Sequence, residues 1–225
     1  MKTDARTKRQ VHWAWLSLLV TAICLLCVVW LVSQNAVQHN PVMDRMTPWL
    51  LARAGGVTAY VLLLILVLVG MLLASVPNKE SWRFSKFLLP FHRLLSLFLI
   101  AFLILHILSI ALDIYVKVGW LGAFIPLFSI YRPIPVALGT VALYAILLLA
   151  VTARFPRLLP SGRWLTVHRV SLATFWLAFL HGVLTGTDSP QLSLLYDGSA
   201  VAVCLLALIR YAIVSTRKQV SSGNS

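Results

Sequence analysis

Four histidines sit inside strongly apolar stretches, and their spacing is the first chemical signal in the chain. FHRLLSLFLIAFLILH carries His92 and His106 fourteen residues apart, and VHRVSLATFWLAFLH carries His168 and His181 thirteen apart. On a helix these separations are roughly 21 and 20 Å along the axis, so each stretch holds one histidine toward either end of a membrane crossing. Ionisable residues at membrane depth are costly, and each is a candidate for function. A single one is readily explained as a helix-packing hydrogen bond; four in two segments at nearly equal separations form a pattern. Facing imidazoles at one depth suit the two axial positions of a haem iron, and an apolar cleft between helices accommodates a flat macrocycle. Zinc is less well served, because a His pair supplies two of its usual four ligands and no Cys, Asp or Glu lies at the same depth. With both axial positions filled, iron has no open site for a substrate, which points to electron transfer. His12 and His39 lie in polar flanks and read as solvated or interfacial.

The elements that must position these histidines follow from composition. Of 225 residues, 60% are hydrophobic and only 11% charged, too few charges for a soluble domain of this size. Six stretches are long enough to cross a bilayer: 13–33, 55–75, 87–112, 134–152, 164–185 and the shorter 199–214. The net charge of +13 raises the question of nucleic acid, but the basic residues sit in short clusters between apolar runs, so topology explains them. With the N-terminus cytoplasmic, 15 of the 19 Lys and Arg fall on the inner side, and only Arg45, Arg53, Lys117 and Arg132 fall outside. The expected fold is therefore an all-α, six-helix transmembrane bundle with both termini cytoplasmic. Its parts are a cytoplasmic segment 1–12, an uncleaved first helix 13–33, a haem domain over 50–215 and a disordered cytoplasmic tail 216–225. Cys24, Cys27 and Cys204 make no disulfide framework and read as packing residues.

Helical phase tests the two-haem reading. Fourteen residues return to within roughly 40° of one face, whereas thirteen leave a mismatch of roughly 140°, so the fifth span needs a local distortion, tilt or differently aimed side chains. One haem, with the other His pair used otherwise, is the alternative. Arg93 and Arg169 each follow the first histidine of a pair and are placed to bond a haem propionate, or equally to serve as ordinary inside-positive residues. Trp176 falls between His168 and His181 at mid-membrane, where an aromatic side chain could fill the space between two haems or simply pack.

These features together resemble the ferric reductase-like transmembrane domain, the membrane part shared by ferric reductases and NADPH oxidases and found alone in short bacterial proteins. The resemblance is carried by the His pairs spaced 14 and 13, by RAGGVTAYVLL at the second span and by WLTVHRVSLATFWLAFLHGVLTGTDS through the fifth, and covers roughly residues 50–215. It implies two haem b groups, the inner on His92 and His168 and the outer on His106 and His181. In larger relatives a C-terminal flavin and nicotinamide domain feeds the inner haem. This sequence stops after the sixth span, so the expectation is no FAD or NAD(P) site in this chain and a membrane component of an oxidoreductase rather than a complete enzyme. The implied donor is a separate cytoplasmic flavoprotein reductase or a membrane quinol, and the implied acceptor an outer-side oxidoreductase or ferric iron. Another short relative is the haem-bearing membrane subunit of the bacterial periplasmic methionine sulfoxide reductase system. The implied location is the plasma membrane, in a bacterium the inner one, with the lipid bilayer as surroundings and no nucleic acid partner.

A competing reading is a non-redox transporter or assembly subunit whose histidines form a proton or metal path. That reading expects acidic partners inside the spans, and none is present: Asp113 is at an outer end and Glu80 in an inner loop. A haem sensor, or a single-haem anchor for a redox partner, is a third. The topology makes the first prediction. A reporter that works only in the cytoplasm should be active when fused after Glu80 or Ser225 and silent after Asp188; activity after Asp188 overturns the orientation.

Overall fold

The computed structural model describes residues 41–75, 85–160 and 163–223, and among them there are helices, turns and no strand. The long helices are α1 (Pro41–Ser75), α2 (Ser85–Leu112), α4 (Pro133–Arg154), α6 (Ser171–Thr185) and α7 (Ser193–Gly223); α3 (Gly119–Phe124) and α5 (Trp164–His168) are short. Among the described residues five segments are long and apolar enough to cross a membrane: Arg45–Ser75, Lys86–Leu112, Pro133–Arg154, Trp164–Thr185 and Ser193–Arg210. The protein is a multi-pass membrane protein. The expected first span, 13–33, lies outside the described residues, as do His12, His39, Cys24 and Cys27.

Helices are the solution forced on an apolar chain in lipid, because each backbone N–H and C=O must find its partner within the segment. Outward-facing Leu72, Ile104, Leu148 and Leu208 are exposed, as lipid-facing side chains are. Two boundaries differ from the hydropathy reading. α1 begins well before residue 55, because the helix runs on through Arg45 and Arg53, whose charges end the apolar run without ending the hydrogen-bond ladder. α7 likewise runs on through Gly223, over most of the polar stretch after the last apolar run. The segment linking α2 to α4 is shaped rather than loose. α3 is fastened to α4 by Tyr144, whose hydroxyl donates to the Phe124 carbonyl at 2.5 Å. Tyr131 and Arg132 donate to the Thr185 and Leu184 carbonyls at the end of α6.

Of the three ways to absorb the helical-phase mismatch, the fifth span shows a local distortion, directly after His168. α5 ends at His168, and Arg169 and Val170 take ψ angles of −18° and −16°, flatter than α-helix and close to 3₁₀ geometry. Val170 N bonds to the Val167 carbonyl three residues back at 3.0 Å, not four. A three-residue turn winds faster than an α-helix, about 120° against 100° per residue, and so recovers part of the thirteen-residue mismatch.

α1 packs along α2 and α4 along α6, and α1 also meets α6 and α7. The centre of the bundle is aromatic. Phe175 is completely buried and stacks on Tyr60 with ring centres 5.9 Å apart, while Tyr60 in turn lies against Tyr196. The Tyr60 hydroxyl is hydrogen bonded to Ser199 Oγ, which satisfies a phenol in an interior without water. Gly182 lets α7 approach α6 here, since a Cβ at this position would lie 2.8 Å from the Tyr196 hydroxyl. Removing the Phe175 ring should be the most damaging single truncation in the bundle. Phe175→Ala is expected to cost about 3–5 kcal/mol and to lower the thermal unfolding midpoint in detergent far more than Leu208→Ala, a lipid-facing control.

Candidate functional site

The four membrane histidines lie on two helical hairpins, α1–α2 and α4–α6, and meet in two pairs. His92 and His168 have ring centres 6.2 Å apart with planes at 72°; His106 and His181 are 6.3 Å apart at 77°. Each pair thus draws one ring from α2 and one from the α5–α6 span, at two levels of the bundle. A metal ion bonded to one nitrogen of each ring at about 2 Å, the usual metal–imidazole length, places two ring centres roughly 6 Å apart. Both pairs meet that spacing.

At the His106–His181 level each ring is fixed by a main-chain carbonyl. His106 Nδ1 lies 2.6 Å from the Ala52 oxygen on α1, and His181 Nδ1 lies 2.9 Å from the Pro135 oxygen on α4. A carbonyl can only accept, so Nδ1 carries the proton and Nε2 the lone pair, the tautomer a metal ligand needs. Close approach is possible because the residue one turn after each acceptor is glycine. A Cβ on Gly56 would fall 2.8 Å from His106 Nδ1, and one on Gly139 would fall 2.5 Å from His181 Nδ1. At the other level, Nδ1 of His92 and of His168 is buried without a hydrogen-bond partner. Gly70 faces His92 more loosely, its notional Cβ 3.4 Å from Cε1.

A cavity of about 230 Å³ opens beside the His106–His181 pair, lined mostly by Leu, Val, Ile and Ala, with Tyr60 and Tyr196 among the lining residues. Apolar walls converging on two imidazoles fit a flat, largely apolar macrocycle. The donor set fits it too. Among the described residues no group of three or more His, Cys, Asp or Glu could hold a metal ion. A metal held by two protein nitrogens therefore needs its remaining donors from elsewhere, and a porphyrin brings four.

Of the other residues singled out from the sequence, Arg93 and Arg169 sit beside the His92–His168 level and are exposed. Trp176 is half-buried and packs edge-on against Phe175 and Phe179, so Phe175, one residue earlier, takes the fully enclosed position between the two levels. Sequence reasoning missed Gly56, Gly139 and the pair of Arg53 with Asp188. Arg53 lines the cavity, forms an ion pair with Asp188 and lies over the Trp49 ring at 4.1 Å.

An internal likeness could have found the glycines. Gly56-Val-Thr-Ala-Tyr60 on α1 matches Gly139-Thr-Val-Ala-Leu-Tyr144 on α4, and His92-Arg-Leu-Leu-Ser-Leu97 matches His168-Arg-Val-Ser-Leu172. The second histidine segment is one residue shorter, and the missing residue falls at the tight turn after His168.

Residues 55–180 match the family described as ferric reductase like transmembrane component. Searches of curated proteins and of solved structures gave no match.

The Arg53–Asp188 pair is partly exposed, which bounds its contribution. Arg53→Gln and Asp188→Asn should each change stability by about 1 kcal/mol or less, with a double-mutant coupling no larger, measured by thermal unfolding.

Proposed function

The chain belongs to the ferric reductase-like transmembrane component family, and from that premise we propose that it is a two-haem b-type cytochrome carrying electrons across the membrane. The observation that supports this most directly is the pair of facing imidazole couples, 6.2 and 6.3 Å between ring centres, at two levels of one bundle. Bound haem would supply reversible one-electron chemistry at iron. His92 and His168 would hold one group and His106 and His181 the other. The Ala52 and Pro135 carbonyls keep His106 and His181 in the Nε2-ligating tautomer. Two protein ligands per iron leave no position for a substrate, so the chain's own task is to hold, orient and insulate. Phe175, Tyr60 and Tyr196 exclude water between the two levels. Arg93 and Arg169 are placed to offset propionate charge at the His92–His168 level.

The Lys and Arg distribution supports an inner-to-outer direction of transport, with His92 and His168 on the cytoplasmic side and His106 and His181 on the outer side. The donor is then a cytoplasmic flavoprotein reductase or a membrane quinol, and the acceptor an outer-side oxidoreductase or ferric iron. The bilayer in question is the plasma membrane.

Protein purified from haem-replete cells should give a reduced-minus-oxidised b-type spectrum and about two haems per chain; a haem-free preparation overturns the proposal. His92→Ala or His168→Ala should remove one centre and leave the other, and His106→Ala or His181→Ala the converse. Equal loss of both centres in every variant that still folds argues against the pairing. The steep angles between facing rings, 72° and 77°, lead us to expect strongly anisotropic low-spin ferric resonance signals from the haem-loaded protein.

A further inference from the structure

The two His pairs share a spacing but not a set of supporting contacts. His106 and His181 each reach a main-chain oxygen, at 2.6 and 2.9 Å, and each acceptor stands one helical turn before a glycine that a Cβ would replace with a clash. The arrangement occurs twice, once on α1 and once on α4, and Ala52, Gly56 and Gly139 line the same cavity. At the other level it is incomplete. Leu66 stands one turn before Gly70 and its carbonyl faces His92, but His92 Nδ1 lies outside hydrogen-bond geometry, a looser version of the same contact. His168 Nδ1 is buried without a partner as well. Thirteen and fourteen residues on from Gly139, the matching places on α4 hold Thr152 and Ala153 rather than glycine.

That difference has an electronic consequence. An imidazole whose N–H donates to a carbonyl is a more basic ligand through its other nitrogen, and hydrogen bonding behind the axial ligand is one of the levers on haem potential. A more basic ligand stabilises the ferric state and lowers the potential. Charge acts in the same sense. Arg93 and Arg169 follow His92 and His168 directly, and positive charge nearby favours the reduced iron. At the opposite level the cation lining the cavity, Arg53, is already paired with Asp188.

We propose that Gly56 and Gly139 are positioning residues for the His106–His181 centre, and that the two main-chain hydrogen bonds they permit make it the lower-potential centre of the pair, so that the inner-to-outer step is uphill and is completed by the outer acceptor. The proposal rests on the two-haem reading above. Neither glycine would be a ligand; each acts through the ring it lets in. Gly70 is the internal control, because a methyl group there would make only ordinary contact with His92.

Optical potentiometry of the full-length, haem-loaded protein tests it. The wild type should show two separate midpoint potentials, and His92→Ala should leave only the lower one. Gly139→Ala and Gly56→Ala should raise the lower midpoint toward the upper or abolish that wave, with the upper wave unmoved, and Gly70→Ala should leave both in place. Coincident midpoints in the wild type, survival of the higher wave in His92→Ala, or an effect of Gly139→Ala confined to the higher wave would each overturn it. If the glycine variants do not fold, the wild-type and His92→Ala measurements still decide the order of potentials. A wild type with fewer than two haems instead defeats the reading on which the proposal rests, so the two failures are distinguishable.

Discussion

An imidazole buried among helices in lipid has one N–H to satisfy and no water to satisfy it with. The rest of the bundle is arranged around that constraint. Side-chain acceptors are scarce in an apolar interior, and helix carbonyls are already used by the ladder, so the ring must come close enough to share one. Sharing requires that the helix surface be stripped at that point, which is what Gly56 and Gly139 do. At the other level, where the ring of His92 stands farther from Gly70, Nδ1 of His92 and of His168 lies outside hydrogen-bond geometry.

The same constraint links the backbone to the likeness between the hairpins. Two histidine segments of matching pattern differ by one residue, and a single missing residue turns every later side chain through about 100°. The chain absorbs this locally. α5 stops at His168, Arg169 and Val170 take a tighter turn, and α6 resumes with Phe175 aimed into the core and His181 opposite His106. The turn is therefore part of how the two rings of each level come to face each other.

Much of this was legible in the sequence. The apolar runs and the four histidines indicated an all-helical membrane bundle, and the thirteen-residue spacing called for a distortion, a tilt or differently aimed side chains in the fifth span without saying which or where. Helix ends were less legible, because hydropathy reports where the apolar run stops at Arg53 and not where the hydrogen-bond ladder stops. Phe175 and Trp176 are adjacent and similar in hydrophobicity, so only the turn after His168 decides which of them is enclosed. Arg53 and Asp188 lie far apart in sequence and read as loop-flanking charges until the fold brings them together at the cavity. Glycine is hardest to read, since its contribution is the absence of a side chain.

The carbonyls of Ala52 and Pro135 carry a consequence for how this site changes over time. Because the acceptors belong to the peptide backbone, no substitution at position 52 or 135 deletes them while the helix persists. A survey that replaced every residue in turn would pass over both acceptors and register the site only at its glycines and histidines. Drift can then reshape the cavity walls freely while the grip on the two rings stays the same, inherited with the helix rather than with any one side chain.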